Sequence, residues 1–130
     1  MSNVNLMCEK SFSLDDREIV DMFLSFQQAL IDADLDRLDE MILKGEEFVN
    51  LIGAQSKEEF LKDVESGALK FNVCDILDPT VLFDDDSSAS LIAKVRLTVE
   101  VNEKELRVIS DSVVSFERID GEWRIGKWDS

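Results

Sequence analysis

The segment LIAKVRLTVEV, residues 91–101, decides the fold class of this chain. Apolar side chains occupy every second position from Leu91 to Val101, and most of the positions between them are polar or charged. A period of two is typical of a strand that turns one face to a core and the other to solvent. The pattern therefore predicts a long strand from Leu91 to Asn102.

Three more segments around this one have strand character: Phe71 to Phe83, Leu106 to Ile119 and Trp123 to Trp128. Turn-forming residues separate them, and Asp120-Gly121 is a strong hairpin signal. The four strands should form an antiparallel meander. Pro79 interrupts the first of them, which indicates an edge position or a bulge.

Helical signals precede the sheet. Ser13 is a candidate N-cap, and the helix after it carries one apolar stripe: Ile19, Met22, Phe23, Phe26 and Leu30. A shorter helix is predicted from Leu35 to Ile42, ending near Gly45, and a short strand from Phe48 to Ile52.

A third helix has the clearest local signal. Ser56 and Glu59 have the spacing of a capping box, and Gly67 is a suitable C-terminal stop. Helices segregated before an antiparallel sheet indicate an α+β fold. A sheet curved around the first helix would enclose a cone.

Composition limits the function classes. A chain of 130 residues with 45% hydrophobic residues fits one domain, predicted at residues 13–130 after a disordered or loosely packed leader, 1–12. The net charge of −15 disfavours nucleic acid and membrane surfaces as partners. No apolar run approaches the ~20 residues of a membrane span, so we expect a cytoplasmic protein. Both cysteines are expected to be free thiols.

Three segments together resemble the nuclear-transport-factor-2-like (NTF2-like) superfamily, also called cystatin-like, and its bacterial SnoaL-like branch: residues 33–38 (ADLDRL), 56–69 (SKEEFLKDVESGAL) and 120–125 (DGEWRI). The resemblance runs from about Asp16 to Trp128. It implies a cone-shaped α+β barrel, frequent homodimers through the sheet, and a pocket that serves many unrelated purposes.

The chain contains no histidine and no tyrosine, which removes the commonest general base and the phenolic donor. In ketosteroid isomerases of this superfamily, the catalytic positions correspond to Phe26, a residue near Leu51, and Ser112. None carries the required group, and the neighbouring Asn50 is an amide that does not shuttle protons. We expect neither ketosteroid isomerase nor histidine-dependent dehydratase activity.

The leading hypothesis is a small apolar ligand bound in the cone without acid–base catalysis and without a cofactor. Two hydroxyls on an otherwise apolar wall suit ligand hydrogen bonding, although they equally suit bonds to buried backbone or water. A tryptophan in the last strand is more often core than ligand platform. The candidate ligand-binding residues are Phe26, Leu51, Ser110, Ser112 and Trp128.

Two alternatives remain open. One is a cyclase- or isomerase-like enzyme that uses an acidic residue such as Asp111, although the strand parity that points Ser112 inward points Asp111 outward. The other is a protein-interaction module. An open cavity favours ligand binding or catalysis, whereas a cone filled by side chains favours the interaction module.

No metal site is predicted. Residues 32–36 resemble a calcium loop but have Arg37 and Leu43 where glycine and glutamate are needed, and residues 84–86 fit an acidic turn. Cys74 has no histidine to activate it and fits a packed strand position.

Self-association is expected at the convex face of the sheet, because both faces of the Leu106 to Ile119 strand carry apolar residues. We expect a homodimer interface that includes Ile109, Val113 and Trp123.

Overall fold

A computed structural model describes residues 3–43, 47–50 and 53–129, with the side chains of residues 47–50, 53 and 54 left aside. Its elements are β1 (Val4–Met7), α1 (Leu14–Asp32), α2 (Leu35–Met41), β2 (Glu47–Asn50), β3 (Gly53–Ser56), α3 (Lys57–Ser66), β4 (Leu69–Asp85), β5 (Ser88–Val101), β6 (Lys104–Ile119) and β7 (Glu122–Asp129). These helices pack on one five-stranded mixed sheet, which confirms the predicted α+β class.

Strand order in the large sheet is β1-β4-β5-β6-β7, and β2 and β3 form a separate hairpin. Strands β4 to β7 pair as an antiparallel meander, as predicted. The β5–β6 turn has positive φ at Asn102 and Glu103, and the β6–β7 turn at Asp120 and Gly121. Two consecutive residues with positive φ form the type I′ turn that suits the twist of paired strands.

Pro79 lies at a bulge in β4, between Leu77 and Thr80, where Asp78 has φ 45°. Strand β1 pairs with β4 only as far as Met7 opposite Leu77, so the proline lies beyond its last partner on that side. The prediction of a bulge or edge position is confirmed. Proline is tolerated there because its missing N–H is not needed by a neighbouring strand.

The leader differs from its prediction. Within residues 1–12, Val4–Met7 form strand β1, which pairs in parallel with Cys74–Leu77 of β4. The side chain of Asn5 also donates to Asp75 Oδ1 at 2.9 Å. A four-residue strand has too little period to be recognised locally, and its stability comes from a partner some seventy residues away.

The helix caps follow the sequence signals. Ser13 Oγ accepts from Asp16 N at the start of α1, and Ser56 and Glu59 form a complete capping box at the start of α3. Gly67 ends α3 with φ 83°, a left-handed conformation that glycine adopts without steric cost. The predicted stop at Gly45 lies outside the described residues, and α2 ends at Met41.

The core lies between α1 and the inner face of the sheet, and α3 covers one end. Its largest fully buried side chains are aromatic: Trp128, Phe23, Phe26, Phe60, Phe71 and Phe116. In the part of the chain that is described, no helix has the length and apolar character to cross a membrane.

Candidate functional site

The inner wall of the cone carries a short chain of polar contacts on β6 and β7. Ser112 is fully buried and faces inward, because it pairs with the inward Ala93 of β5. Trp128 Nε1 donates to Ser112 Oγ at 3.2 Å, and the Oγ atoms of Ser112 and Ser110 are 3.1 Å apart. The hydroxyls therefore bond to a side chain and to each other.

Trp128 is the centre of an aromatic cluster inside the cone. The ring centroids of Phe26, Phe23 and Phe71 lie 5.9, 6.1 and 6.2 Å from its ring. The two helix phenylalanines meet the indole edge to face, at 84° and 82°. This geometry pairs the positive edge of one ring with the negative face of the other, so the contacts add to the burial of apolar surface.

The structure thus brings together four of the five predicted ligand-binding residues: Phe26, Ser110, Ser112 and Trp128. The fifth, Leu51, lies outside the described residues. Four clefts lined by described residues alone are open hollows at the molecular surface, and none of the four residues lines one of these.

Asp111 lies outside the cone. It is exposed on the outer face of the sheet, where it pairs across the ladder with Lys94 of β5. The inward Ser112 follows it directly, as the alternation of strand side chains requires. A general acid on this face would have no dry cavity in which to act.

The acidic segments have local structural roles. Asp34 Oδ1 accepts from Arg37 N at the start of α2, and Asp85 Oδ1 accepts from Ser87 N in the β4–β5 turn. Among the described residues, no group of three or more acidic or cysteine side chains is placed to hold a metal ion.

The outer face is defined here by the outward residues at the centre of β5 and β6 and by the part-buried Asp75 of β4 beside them: Asp75, Ile92, Lys94, Arg96, Arg107, Ile109, Asp111 and Val113. The exposed Glu105 and Glu117 of β6 lie outside this centre, at its two ends. Ile109 is 65% exposed, Val113 46% and Ile92 42%. Ile92 and Val113 are directly paired, so they form one apolar patch across two strands. Arg96 bonds to Asp75 Oδ2 at 3.0 Å.

Trp123 does not belong to this face, which corrects the prediction that it joins a convex interface. It is almost fully buried, its ring lies 6.1 Å from Phe83, and the Arg118 guanidinium stacks over it at 4.7 Å. Ser115 pairs with Lys127 and Phe116 with Ile125, so Gly126 of β7 is a bulge residue between Trp123 and Trp128. A bulge breaks the alternation that the sequence interpretation extended through β7.

Gln27 of α1 is a buried polar residue that the sequence analysis did not single out. It is fully buried, and neither its Oε1 nor its Nε2 has a hydrogen-bond partner. An unsatisfied buried donor or acceptor costs about 1–3 kcal/mol. The available signal was its position on the apolar stripe, one helical turn after Phe23 and before Leu30.

Cys74 is a protonated, buried thiol. Burial, together with the negative charge of Asp75, raises the pKa of its thiol from 9.0 to about 12. The thiol rather than the thiolate is therefore present at neutral pH, and the thiol is a poor nucleophile. The geometry gives no support to cysteine catalysis.

This pKa predicts a loss of stability in alkaline solution. The unfolded chain releases the Cys74 proton as pH rises through 9, whereas the folded chain keeps it until about pH 12, so the free energy of unfolding falls between these values. In this range the free energy of unfolding falls by about 1.4 kcal/mol for each pH unit. Urea unfolding of wild type and Cys74→Ala measures it. The difference between the two proteins should shrink steadily above pH 9, and a constant difference would contradict the assignment.

Comparisons with known proteins identify the fold. An NTF2-like protein from Cytophaga hutchinsonii superposes with a TM-score of 0.79 at 16% identity, over 92% of this chain and 99% of that one. An NTF2-like protein of unknown function in nutrient uptake from Rhodospirillum rubrum gives 0.77 at 16%, over 85% and 96%. A putative calcium/calmodulin-dependent kinase II association domain from Exiguobacterium sibiricum gives 0.78 at 10%, over 93% and 95%.

No protein-family model matches the sequence, and no curated protein matches it. At these low identities the structural likeness establishes the fold and not the activity. It does not separate the SnoaL-like branch from the rest of the superfamily.

Proposed function

We propose that this chain, which has the NTF2-like fold, is a non-catalytic association domain that forms a homodimer through the outer face of its sheet. The observation that carries the proposal is the exposed apolar patch of Ile92 and Val113, with Ile109 nearby, on the outer face of the sheet. Apolar side chains that cluster on one exposed face gain free energy when a partner removes them from water.

The charge on this face also favours a second copy. Two chains of net charge −15 repel each other, so they can associate only where the local charge is balanced. The outer face carries three cations and two carboxylates: Lys94, Arg96, Arg107, Asp75 and Asp111. A face with both signs can be self-complementary across a two-fold axis, as an isologous dimer requires.

Other observations agree with an association role. The rings of Phe23, Phe26 and Phe71 pack around Trp128 inside the described part of the cone, which favours a structural role for the indole. The structural neighbour from Exiguobacterium sibiricum is described as a putative association domain, and this chain shares its fold. A cyclase-like reaction finds no support, because Asp111 is exposed to solvent.

Charge substitution locates the interface. Ile109→Glu is expected to dissociate the dimer at micromolar concentration, because it removes the most exposed apolar side chain of this face and adds a negative charge to each of two chains that already repel each other. Leu14→Glu is the matched control, since Leu14 is 90% exposed at the start of α1. Light scattering should give one chain mass for Ile109→Glu and two for the control. A dimeric Ile109→Glu protein would place the interface elsewhere.

A second candidate function is the retention of a small apolar ligand in the cone. The Ser110 and Ser112 hydroxyls favour it, because they form a polar point on an otherwise apolar wall beside Trp128. This function is compatible with a dimer, because the interior and the outer face lie on opposite sides of the sheet.

A further inference from the structure

Polar side chains are rare in the described core, and all but one of them have partners. The buried polar residues are Gln27, Lys57 and Ser112. Lys57 donates to two backbone carbonyls, and Ser112 accepts from Trp128. Of these three residues, only Gln27 has no partner for its polar atoms. Trp123 Nε1 and Arg118 Nε are also buried without a partner, but each is a single donor, whereas Gln27 leaves a whole carboxamide unsatisfied. Buried polar groups in folded proteins nearly always bond to protein, water or ligand.

The position of Gln27 in α1 indicates that its amide has a role other than filling space in the core. Helical spacing sets it one turn from Phe23, on the face of α1 that packs into the cone. The ring of Phe23 contacts Trp128. A methionine would fill the same volume and would have no polar atom that needs a hydrogen-bond partner. The amide therefore gives the folded chain no stability that an apolar residue would lack.

We propose that the Gln27 carboxamide binds the polar head of a small ligand inside the cone. The inference deepens the second candidate function, on which it rests. The carboxamide presents one acceptor and two donor hydrogens side by side, so it matches a head group that has an adjacent donor and acceptor. The phenylalanine rings near it suit an apolar ligand body.

The ligand head is electrically neutral. Lys57 is the one ionisable cation buried in the described core, and its ammonium is already bonded to the end of α2. A carboxylate or ammonium head beside Gln27 would therefore find no free counter-ion among the buried side chains of the described core, and an unpaired buried charge is strongly unfavourable. A primary carboxamide on an alkyl or aryl body meets both requirements.

Thermal unfolding with two matched probes tests the site. Hexanamide and methyl pentyl ketone have the same shape, and the ketone carries a methyl group in place of the amide NH₂. Hexanamide should raise the Tm of the wild-type protein more than the ketone does. The variant Gln27→Met should have a higher Tm than wild type without probe, and it should lose the extra response to hexanamide. Gln28→Met, on the same helix and outside the core, should retain it.

The outcomes separate this site from the general proposal of a cone ligand. Equal responses to both probes in wild type and Gln27→Met would support an apolar cone ligand and overturn the role of Gln27. Absence of any response to hexanamide in wild type would overturn it too. A lower Tm for unliganded Gln27→Met would show that the amide has a partner within the unbound chain, which also contradicts the assignment.

Discussion

Replacing Trp128 with alanine is expected to lower the free energy of unfolding by about 3–5 kcal/mol. The indole is fully buried and contacts the rings of Phe23, Phe26 and Phe71. Truncation leaves a cavity among three rigid rings that cannot collapse into it, and it removes the hydrogen bond to Ser112. A loss of this size approaches the total stability of many single domains.

Urea unfolding measures this loss, and Trp128→Phe is the matched control. Phenylalanine keeps most of the packing and loses the hydrogen bond from Nε1, so it should cost about 1–3 kcal/mol. A cost for Trp128→Ala below that of Trp128→Phe would show that the cone is not held together by this ring.

Replacing Lys57 with methionine is expected to lower the free energy of unfolding by about 1.5–3 kcal/mol, the range for hydrogen bonds to charged groups. The buried ammonium donates to the carbonyls of Asp39 and Ile42 at 2.7 Å each, and lies 3.1 Å from Asp39 Oδ1. It thereby satisfies backbone oxygens at the C-terminus of α2, where the helix dipole favours a cation. Methionine fills the volume but leaves these oxygens without a donor.

Lys62→Met provides the control for this effect. Lys62 lies on the same helix, α3, and is exposed. It should change the free energy of unfolding by less than about 0.5 kcal/mol, as is usual for surface substitutions. Equal effects of the two substitutions, measured in urea, would show that the α2–α3 junction does not depend on the Lys57 ammonium.

Local signals in the sequence were enough to predict most of the architecture. The alternation from Leu91 to Val101, the capping box at Ser56 and the Asp120-Gly121 turn each specify their own geometry within a few residues. The observed strands extend the predicted ones by a few residues at their ends, because the last ladder bonds depend on the partner strand. Strands β1 and β3 were missed, because neither VNLM nor GAQS has enough alternating apolar residues to mark a strand.

The candidate site was predictable in part. Strand parity placed Ser112 inward and Asp111 outward, because the period of two does not drift along an unbulged strand. The same rule failed in β7, because a bulge at Gly126 lies between Trp123 and Trp128. The unpartnered amide of Gln27 was not predictable, because hydrogen-bond satisfaction depends on packing between elements rather than on spacing along one helix.

Sedimentation equilibrium of the wild-type protein at micromolar concentration tests the central claim most directly. We predict twice the 14.8 kDa mass of one chain, because the proposed dimer buries the exposed apolar patch of Ile92 and Val113 on the outer face. Added salt should leave the dimer in place, since screening weakens the repulsion between two acidic chains and not the apolar contact. A mass of one chain across this range would contradict the proposal that the outer face is a dimer interface.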